Sequence, residues 1–195
     1  MLKKPENLSA SFVEKFNHPP MKLLLPKEFI NYLDEFCDDK TEKIENFKKG
    51  GIYKINTNFD KVFLEFLYDS TRTLVWNLIY ENYKKLDLRL ASINYISLHD
   101  GDFLPMKASI GLISGICFFK VSDCINLDKM EGCMSILSGE PSNIFKPSNL
   151  LNIKPELGDV FVYPSSFSKI LYPFYGSGNT RALCFSFINK SALIS

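Results

Sequence analysis

Histidine is scarce in this sequence. The chain has 195 residues and only two histidines, His18 and His99. Imidazole is the commonest metal ligand and the usual general base near neutral pH. The count therefore nearly excludes a zinc site with several histidine ligands, and it equally argues against a site that needs both a metal triad and a separate histidine base.

The cysteines and the apolar segments lack the patterns of secreted and membrane proteins. There are five cysteines, an odd number, and no two of them have CxxC spacing. The first residues, MLKKPENLSASF, lack the apolar run of a signal peptide. No apolar stretch approaches the ~20 residues that span a membrane. We expect an intracellular protein with reduced thiols, not secreted through a signal peptide and without a membrane partner.

An excess of either charge is also missing. The sequence has 23 Lys+Arg and 22 Asp+Glu, a formal net charge of +1. Nucleic-acid binders usually carry a basic excess or a basic stripe, whereas the lysines here form short, scattered pairs. We expect no nucleic-acid partner. Hydrophobic residues make up 46% of the chain, which is typical of a globular domain and excludes a disordered chain.

Hydrophobic periodicity predicts a single domain with helices followed by strands. Residues 1–25 read as an N-terminal arm, residues 26–88 as a helical layer, and residues 89–195 as a strand-rich core. One helix begins at Pro26. A second helix covers residues 60–85, with Asp60 as its N-cap and a break near Ser70. This α+β order, with closely spaced short strands, suits a sandwich or barrel of the jelly-roll type.

The predicted strands alternate with loops. Lys40 to Gly51 is charged and ends in two glycines, and it reads as a turn or loop. Short segments rich in β-branched and aromatic residues read as strands. They are Leu90–Leu98, Leu112–Val121, Cys133–Leu137, Val160–Tyr163, Lys169–Tyr172 and Arg181–Ile188.

The last third of the chain carries a pattern that is similar to a known family. Residues 157–166 read LGDVFVYPSS, a Tyr-Pro pair follows at 172–173, and Gly176 to Arg181 precedes the final strand. This order resembles the end of Fe(II)/2-oxoglutarate dioxygenases, where a strand ending in Phe-Pro-Ser precedes the distal iron histidine. The resemblance covers about residues 90–190. It implies a double-stranded β-helix (jelly-roll) with N-terminal helices packed on the sheet.

The resemblance also implies where the iron ligands would lie. The paired ligands would fall at Met106 and Ala108, and the distal histidine at Lys169. A facial triad needs two imidazoles and a carboxylate. A lysine ammonium has no free lone pair and repels Fe(II). Because all three positions are degenerate, we expect no bound iron or 2-oxoglutarate and no catalytic residue.

Two cations remain as candidates for holding an anion. Arg181 aligns with the arginine that binds the cosubstrate carboxylate, although Leu183 stands where a Ser or Thr usually shares that contact. Together with Lys169 it could hold a carboxylate or phosphate at the barrel mouth. In the alternative interpretation, Arg181 pairs with Asp159 or Glu156, and Lys169 pairs with Asp102 or faces water.

The two histidines allow one displaced metal site, formed by His99, Asp102 and His18. Its spacing is unfavourable, because Asp102 follows Gly101 in a predicted turn and His18 lies in the N-terminal arm. With such ligands the chain would be an Fe(II)/2-oxoglutarate-dependent oxygenase.

Three functions therefore stay open. We favour a non-catalytic structural or protein-binding module with a protein partner or a homo-oligomer. The richness in Lys, Asn, Ile and Phe, taken with the resemblance, suggests a bacteriophage source and a virion or assembly component. The alternatives are the oxygenase with displaced ligands and a metal-free binder of a small carboxylate or phosphate at the barrel mouth.

Overall fold

The computed structural model describes residues 10–12, 20–39, 41–55, 59–78, 87–138 and 149–189. Within these ranges the chain forms two helices and twelve strands, and the strands make two antiparallel sheets. Neither described helix is long and apolar enough to cross a membrane.

The two helices form where the sequence predicts them. Helix α1 covers Lys27–Asp39 directly after Pro26, whose carbonyl accepts the first helical hydrogen bonds. Helix α2 covers Lys61–Leu78. The amide of Val62 donates to Asp60 Oδ1 at 2.8 Å, which confirms Asp60 as the N-cap. The predicted break near Ser70 is wrong, because Ser70 Oγ donates to the carbonyl of Phe66 and α2 continues through it.

The major sheet has eight strands in the order β1-β2-β10-β7-β12-β5-β4-β3. Its central strands are long and buried, because both of their faces are covered. The bounds are β1 Ala10–Phe12, β2 Met21–Leu24, β3 Thr41–Asn46, β4 Gly51–Ile55, β5 Leu88–Leu98, β7 Ile113–Lys120, β10 Asp159–Pro164 and β12 Thr180–Asn189.

The minor sheet has four strands in the order β6-β11-β8-β9, so β6 is an edge strand among the described residues. The bounds are β6 Leu104–Ala108, β8 Met134–Ser138, β9 Asn149–Ile153 and β11 Ser168–Leu171. Two facing antiparallel sheets with helices on the outer face of the larger one confirm the predicted double-stranded β-helix with N-terminal helices packed on the sheet.

Two apolar cores hold these three layers together. The first joins the helices to the major sheet, and the second lies between the two sheets. Strand β12 contributes to both, because alternate side chains point to opposite faces. Leu183 and Phe185 face the helices, whereas Ala182 and Cys184 face the minor sheet. This alternation decides which residues can reach a site inside the barrel.

The six predicted strands correspond to β5, β7, β8, β10, β11 and β12, with ends that differ by up to two residues. The prediction missed others. Residues 40–51, read as a loop, contain β3 and the start of β4, and β6 and β9 lack a clear alternation of apolar and polar residues. The division into arm, helical layer and core stays a prediction, although β2, β3 and β4 pair into the core sheet.

Candidate functional site

A cavity of about 380 Å³ lies between the two sheets beside β6. One wall comes from β4, β5 and β12 of the major sheet and carries neutral polar groups, including Asn94, Ser186 and Cys184. The other wall comes from β6, the residues after it and β11, and it carries Lys107, Ser109 and Lys169. No Asp or Glu is among the lining residues within the described ranges. The cavity is therefore a cationic site.

Lys169 is the buried charge of this cavity. Its side chain lies on the inner face of β11, and the residue is 7% exposed. Its Nζ donates to Ser109 Oγ at 3.3 Å. Ser109 is neutral and does not balance the charge. A buried ammonium is normally paired with a carboxylate, so the site departs from the usual arrangement.

Lys107 adds a second cation directly beside the first. In the ladder between β6 and β11, Lys107 and Lys169 are register partners. Directly opposite residues in an antiparallel pair have Cβ atoms about 5 Å apart, and like charges there are destabilising. Both lysines line the cavity. The fold thus places two lysines opposite each other, one buried and one exposed, without an acid in the described lining.

Tyr163 and Cys184 are the neutral neighbours of Lys169. Burial raises the pKa of Tyr163 and that of Cys184, and the Lys169 charge lowers each in part. For Lys169, burial lowers the pKa, but the interactions with Tyr163 and Cys184 together raise it by more. The ionisation of Lys169 is thus coupled to that of Tyr163 and Cys184.

The hydroxyl of Tyr163 is fully buried, and Tyr163 is not one of the residues that line the cavity. Its phenol interacts directly with Lys169.

The degenerate ligand positions lie only partly at this cavity. Ala108 and Lys169 line it, but Met106 does not and is 51% exposed on β6. The lining offers ammonium, hydroxyl, amide and thiol groups, and no imidazole or carboxylate among the described residues. This donor set does not fit the facial triad that Fe(II) requires. Across all described residues, no group of three His, Cys, Asp or Glu side chains is placed to hold a metal.

Arg181 lies on the other face of the sheet. Its Nε donates to Tyr95 Oη at 2.7 Å, and its Nη1 pairs with Asp34 of α1. The guanidinium stacks on Tyr95 and Phe119, with 5.1 and 5.7 Å to the ring centroids. The prediction that Arg181 and Lys169 together hold an anion at the barrel mouth is wrong, because Arg181 faces the helices.

The alternative ion pairs suggested by the sequence are also not formed. Asp159 pairs with Lys22 at 2.7 Å, and not with Arg181. Lys169 contacts Ser109, and not Asp102. Asp159 lies on the opposite face of the sheet from Arg181, whereas Asp102 lies in a turn where backbone amides occupy its carboxylate.

His99 and Asp102 form a structural turn. The buried carboxylate of Asp102 accepts backbone hydrogen bonds from Lys49 at 3.0 Å, Gly50 at 2.6 Å and His99 at 3.0 Å. His99 Nε2 lies 3.2 Å from Ser97 Oγ. A Cβ on Gly50 would come within 2.0 Å of a backbone oxygen, so only glycine allows this close approach.

The displaced metal site is therefore not assembled by these residues. Both oxygens of Asp102 are already used by backbone amides, and neither Asp102 nor His99 lines the cavity. His18, the third predicted ligand, lies outside the described residues.

A larger open cleft of about 680 Å³ lies elsewhere, between α1 and the segments around residues 119–125 and 154–157. Its lining mixes acids with lysines, and the carboxylate of Asp34 is taken by Arg181. The charged residues described in its lining are all at least partly exposed, so none of them is a buried charge that would select a ligand. The smaller cavity is the better candidate.

Sequence reasoning missed Tyr163, Ser109 and Cys184. One signal for Tyr163 was present, because the strand motif reads Tyr-Pro-Ser here and Phe-Pro-Ser in the similar family. The extra hydroxyl falls close to Lys169. Ser109 and Cys184 have no comparable signal, because only the packing of the two sheets brings them to the cavity.

Comparisons with known proteins support the fold. No protein-family profile matches the chain, and no curated protein matches it. Among solved structures, a prolyl-4-hydroxylase from Pseudomonas putida matches with a TM-score of 0.61 at 11% identity, over 89% of this chain and 94% of that one.

Two further solved structures also match the fold of this chain. HygX from Streptomyces hygroscopicus, with nickel and 2-oxoglutarate bound, matches with a TM-score of 0.60 at 10% identity, over 87% of this chain and 83% of that one. A prolyl hydroxylase from Trichoplax adhaerens, in complex with a hypoxia inducible factor peptide fragment, matches with a TM-score of 0.54 at 11% identity, over 84% and 78% of the two chains.

Proposed function

We propose that this chain, which has the fold of the Fe(II)/2-oxoglutarate oxygenases, is a non-catalytic binding module that holds a small carboxylate or phosphate without a metal. The observation that carries the proposal is the register pairing of Lys107 with Lys169 in a cavity whose described lining contains no acid. A buried lysine with neutral partners and a second lysine opposite it favour an anion from outside the chain.

The arrangement explains how an anion would be bound. Lys169 supplies a charge-assisted hydrogen bond inside the cavity, and Ser109 Oγ, 3.3 Å from it, supplies a neutral donor. Lys107 lies at the exposed edge strand, where it attracts anions towards the opening. Ile52, Ile96 and Leu104 provide apolar walls for the body of the ligand.

The experiment is a thermal-shift and calorimetric titration of metal-free protein with succinate and with inorganic phosphate. We expect the melting temperature to rise with the concentration of at least one anion, because a ligand that binds only the folded state stabilises it. Lys169→Met should abolish the effect, and Lys107→Met should weaken it. Lys120→Met is the matched control, since this exposed lysine lies outside the cavity.

Two results would contradict the proposal. One is the absence of any shift with either anion, and the other is a shift that persists unchanged in Lys169→Met. Conversion of 2-oxoglutarate to succinate that depends on added Fe(II) would instead favour the oxygenase with displaced ligands.

A protein-binding module is the second candidate. Phe103, Met106 and Ile110 on and beside β6 are at least half exposed, and Ile110 lies at the mouth of the cavity. Sedimentation velocity tests the homo-oligomer version of this idea. An oligomer that dissociates in Ile110→Glu would support it, and a monomer at every concentration would contradict it. The bacteriophage source and the virion role stay predictions.

A further inference from the structure

The inner part of the cavity between the two sheets is aliphatic. Ile52 of β4 and Ile96 of β5 are register partners, so their side chains stand next to each other on the inner face of the major sheet. Leu104 of β6 lines the same cavity from the minor sheet. Each of these three residues is at most 8% exposed. A ligand that passes the rim of the cavity therefore contacts apolar surface from both sheets.

Two pairs of polar groups in the lining already contact each other. Ser92 Oγ and Ser186 Oγ are 2.7 Å apart and share a hydrogen bond between β5 and β12. Ser109 Oγ accepts a hydrogen bond from Lys169 Nζ at 3.3 Å. Lys107 lies on the exposed edge strand, where water screens its charge. In the described lining, Lys169 is therefore the one buried charge, and it lies beside an aliphatic wall.

We propose that this site takes a monocarboxylate with a short apolar chain in preference to a doubly charged anion. The carboxylate binds to Lys169, and the chain lies against Ile52, Ile96 and Leu104. The cavity volume of about 380 Å³ is at the lower end of the usual range for ligand pockets, which limits the length of the chain. The inference rests on the anion site proposed above and names the class of ligand that the site takes.

The preference follows from what each part of the ligand loses and gains on leaving water. An apolar chain gains free energy when it is buried against aliphatic side chains. A second carboxylate would lose hydration in the cavity, and the described lining offers it no second buried cation. The exposed Lys107 attracts anions to the opening but compensates little of that loss, because its charge is screened.

The test is a calorimetric titration of the metal-free protein with acetate, butyrate, hexanoate and octanoate, in a buffer without other carboxylates or phosphate. We expect the association constant to rise by about fourfold for each added methylene group, as burial of that group would give, until the chain fills the cavity. Succinate has as many carbon atoms as butyrate and one more carboxylate. It should also bind, but more weakly than butyrate.

Hexanol and hexylammonium separate the effect of the charge from that of the chain. Both have the chain of hexanoate without its carboxylate, and they should bind more weakly by about tenfold or more, as the loss of one charged hydrogen bond would give. In Lys169→Met, hexanoate should lose its advantage over hexanol. Lys169→Arg keeps the charge and should keep most of that advantage, which separates the charge effect from misfolding.

Ala108→Leu tests the position of the chain. Ala108 lines the cavity from the exposed edge strand, so a larger side chain there takes up space in the cavity without replacing a buried residue. The substitution should weaken the binding of hexanoate and octanoate more than that of acetate. Lys120→Met, an exposed residue outside the cavity, is the control and should change none of these constants.

Three results would overturn the inference. They are an association constant that does not rise with chain length, succinate that binds as tightly as butyrate, and hexanol that binds as tightly as hexanoate. The anion site itself is judged separately. If succinate or phosphate binds through Lys169 without any effect of chain length, only the class of ligand is wrong. If neither succinate nor phosphate binds, the anion site is wrong as well.

Discussion

Arg181 on β12 and Asp34 on α1 form an ion pair across the interface between the major sheet and the helical layer. The side chain of Arg181 is 6% exposed and that of Asp34 is 44% exposed. The guanidinium is also held by Tyr95, both through its hydroxyl and by stacking. This contact fixes α1 on the sheet and assigns Arg181 a structural role.

The first prediction follows from that ion pair. Asp34→Ala removes the carboxylate from a buried guanidinium and should lower the free energy of unfolding by about 2 kcal/mol, since charged hydrogen bonds contribute about 1.5–3 kcal/mol. Glu35→Ala, the exposed neighbour on α1, should change it by less than about 0.5 kcal/mol. Urea unfolding measures both. An equal effect of the two substitutions would show that the ion pair does not stabilise the fold.

The second prediction concerns Lys169. A buried charge without an acidic partner costs desolvation free energy, and an apolar side chain of similar length removes that cost. Lys169→Met should therefore keep or raise the free energy of unfolding in buffer without added anion. Chemical denaturation in a buffer free of carboxylates and phosphate makes the measurement. A loss above about 2 kcal/mol would mean that Lys169 serves the fold and not a ligand.

The third prediction separates a structural role of Asp102 from a metal role. Asp102→Ala leaves the amides of Lys49, Gly50 and His99 without their acceptor, and it should cost about 3–5 kcal/mol because several buried donors lose a charged partner at once. His99→Ala should cost less than about 1 kcal/mol, since the ring loses one part-buried hydrogen bond, with Ser97 Oγ. Thermal denaturation with and without added Fe(II) measures both effects. Stabilisation of the wild type by Fe(II) that both variants lose would contradict this assignment.

The fourth prediction is a loss of stability in alkaline solution. Burial raises the pKa of several thiols and phenols in the folded protein. They are Tyr32, Tyr95, Tyr163, Cys117, Cys133 and Cys184. The unfolded chain releases these protons first, from about pH 8.5 for thiols and about pH 10 for phenols. Because the unfolded state then binds fewer protons, the free energy of unfolding falls as the pH rises through this window.

Urea unfolding at a series of pH values tests this behaviour. We expect little dependence on these groups below about pH 8 and a progressive loss above it. Tyr163→Phe removes one of the ionising groups and should show a smaller alkaline loss than the wild type. A free energy of unfolding that stays constant beyond about pH 10 would contradict the prediction.

Local patterns were enough to predict much of the fold. Proline before α1, the Asp60 cap of α2 and the β-branched and aromatic residues of the buried strands are local properties, and the structure confirms the elements that they predict. Strands β3, β6 and β9 were missed because their stability comes from pairing with neighbours, and their sequences are short or charged. The candidate site shows the same limit. The sequence motif identified Lys169, but it did not predict the residues that contact Lys169.

Arg181 shows most directly what the local sequence does not predict. Its sequence position matches the family pattern, but Arg181 alternates with Leu183 and Phe185, which face the helices. The alternation along β12 is visible in the sequence. Which of its two faces the helices cover depends on how the layers pack, and no local pattern in the sequence reveals that.

The sequence by itself determined the order of helices and strands, the jelly-roll fold and the absence of iron-binding side chains at the expected positions, because these depend on residue type and on short-range periodicity. The tertiary structure decided which charges meet. It set Lys107 opposite Lys169, brought Ser109, Tyr163 and Cys184 around the ammonium, and turned Arg181 towards Asp34. Strand register and the packing of the two sheets fix these distances, and both arise from contacts between residues far apart in the chain.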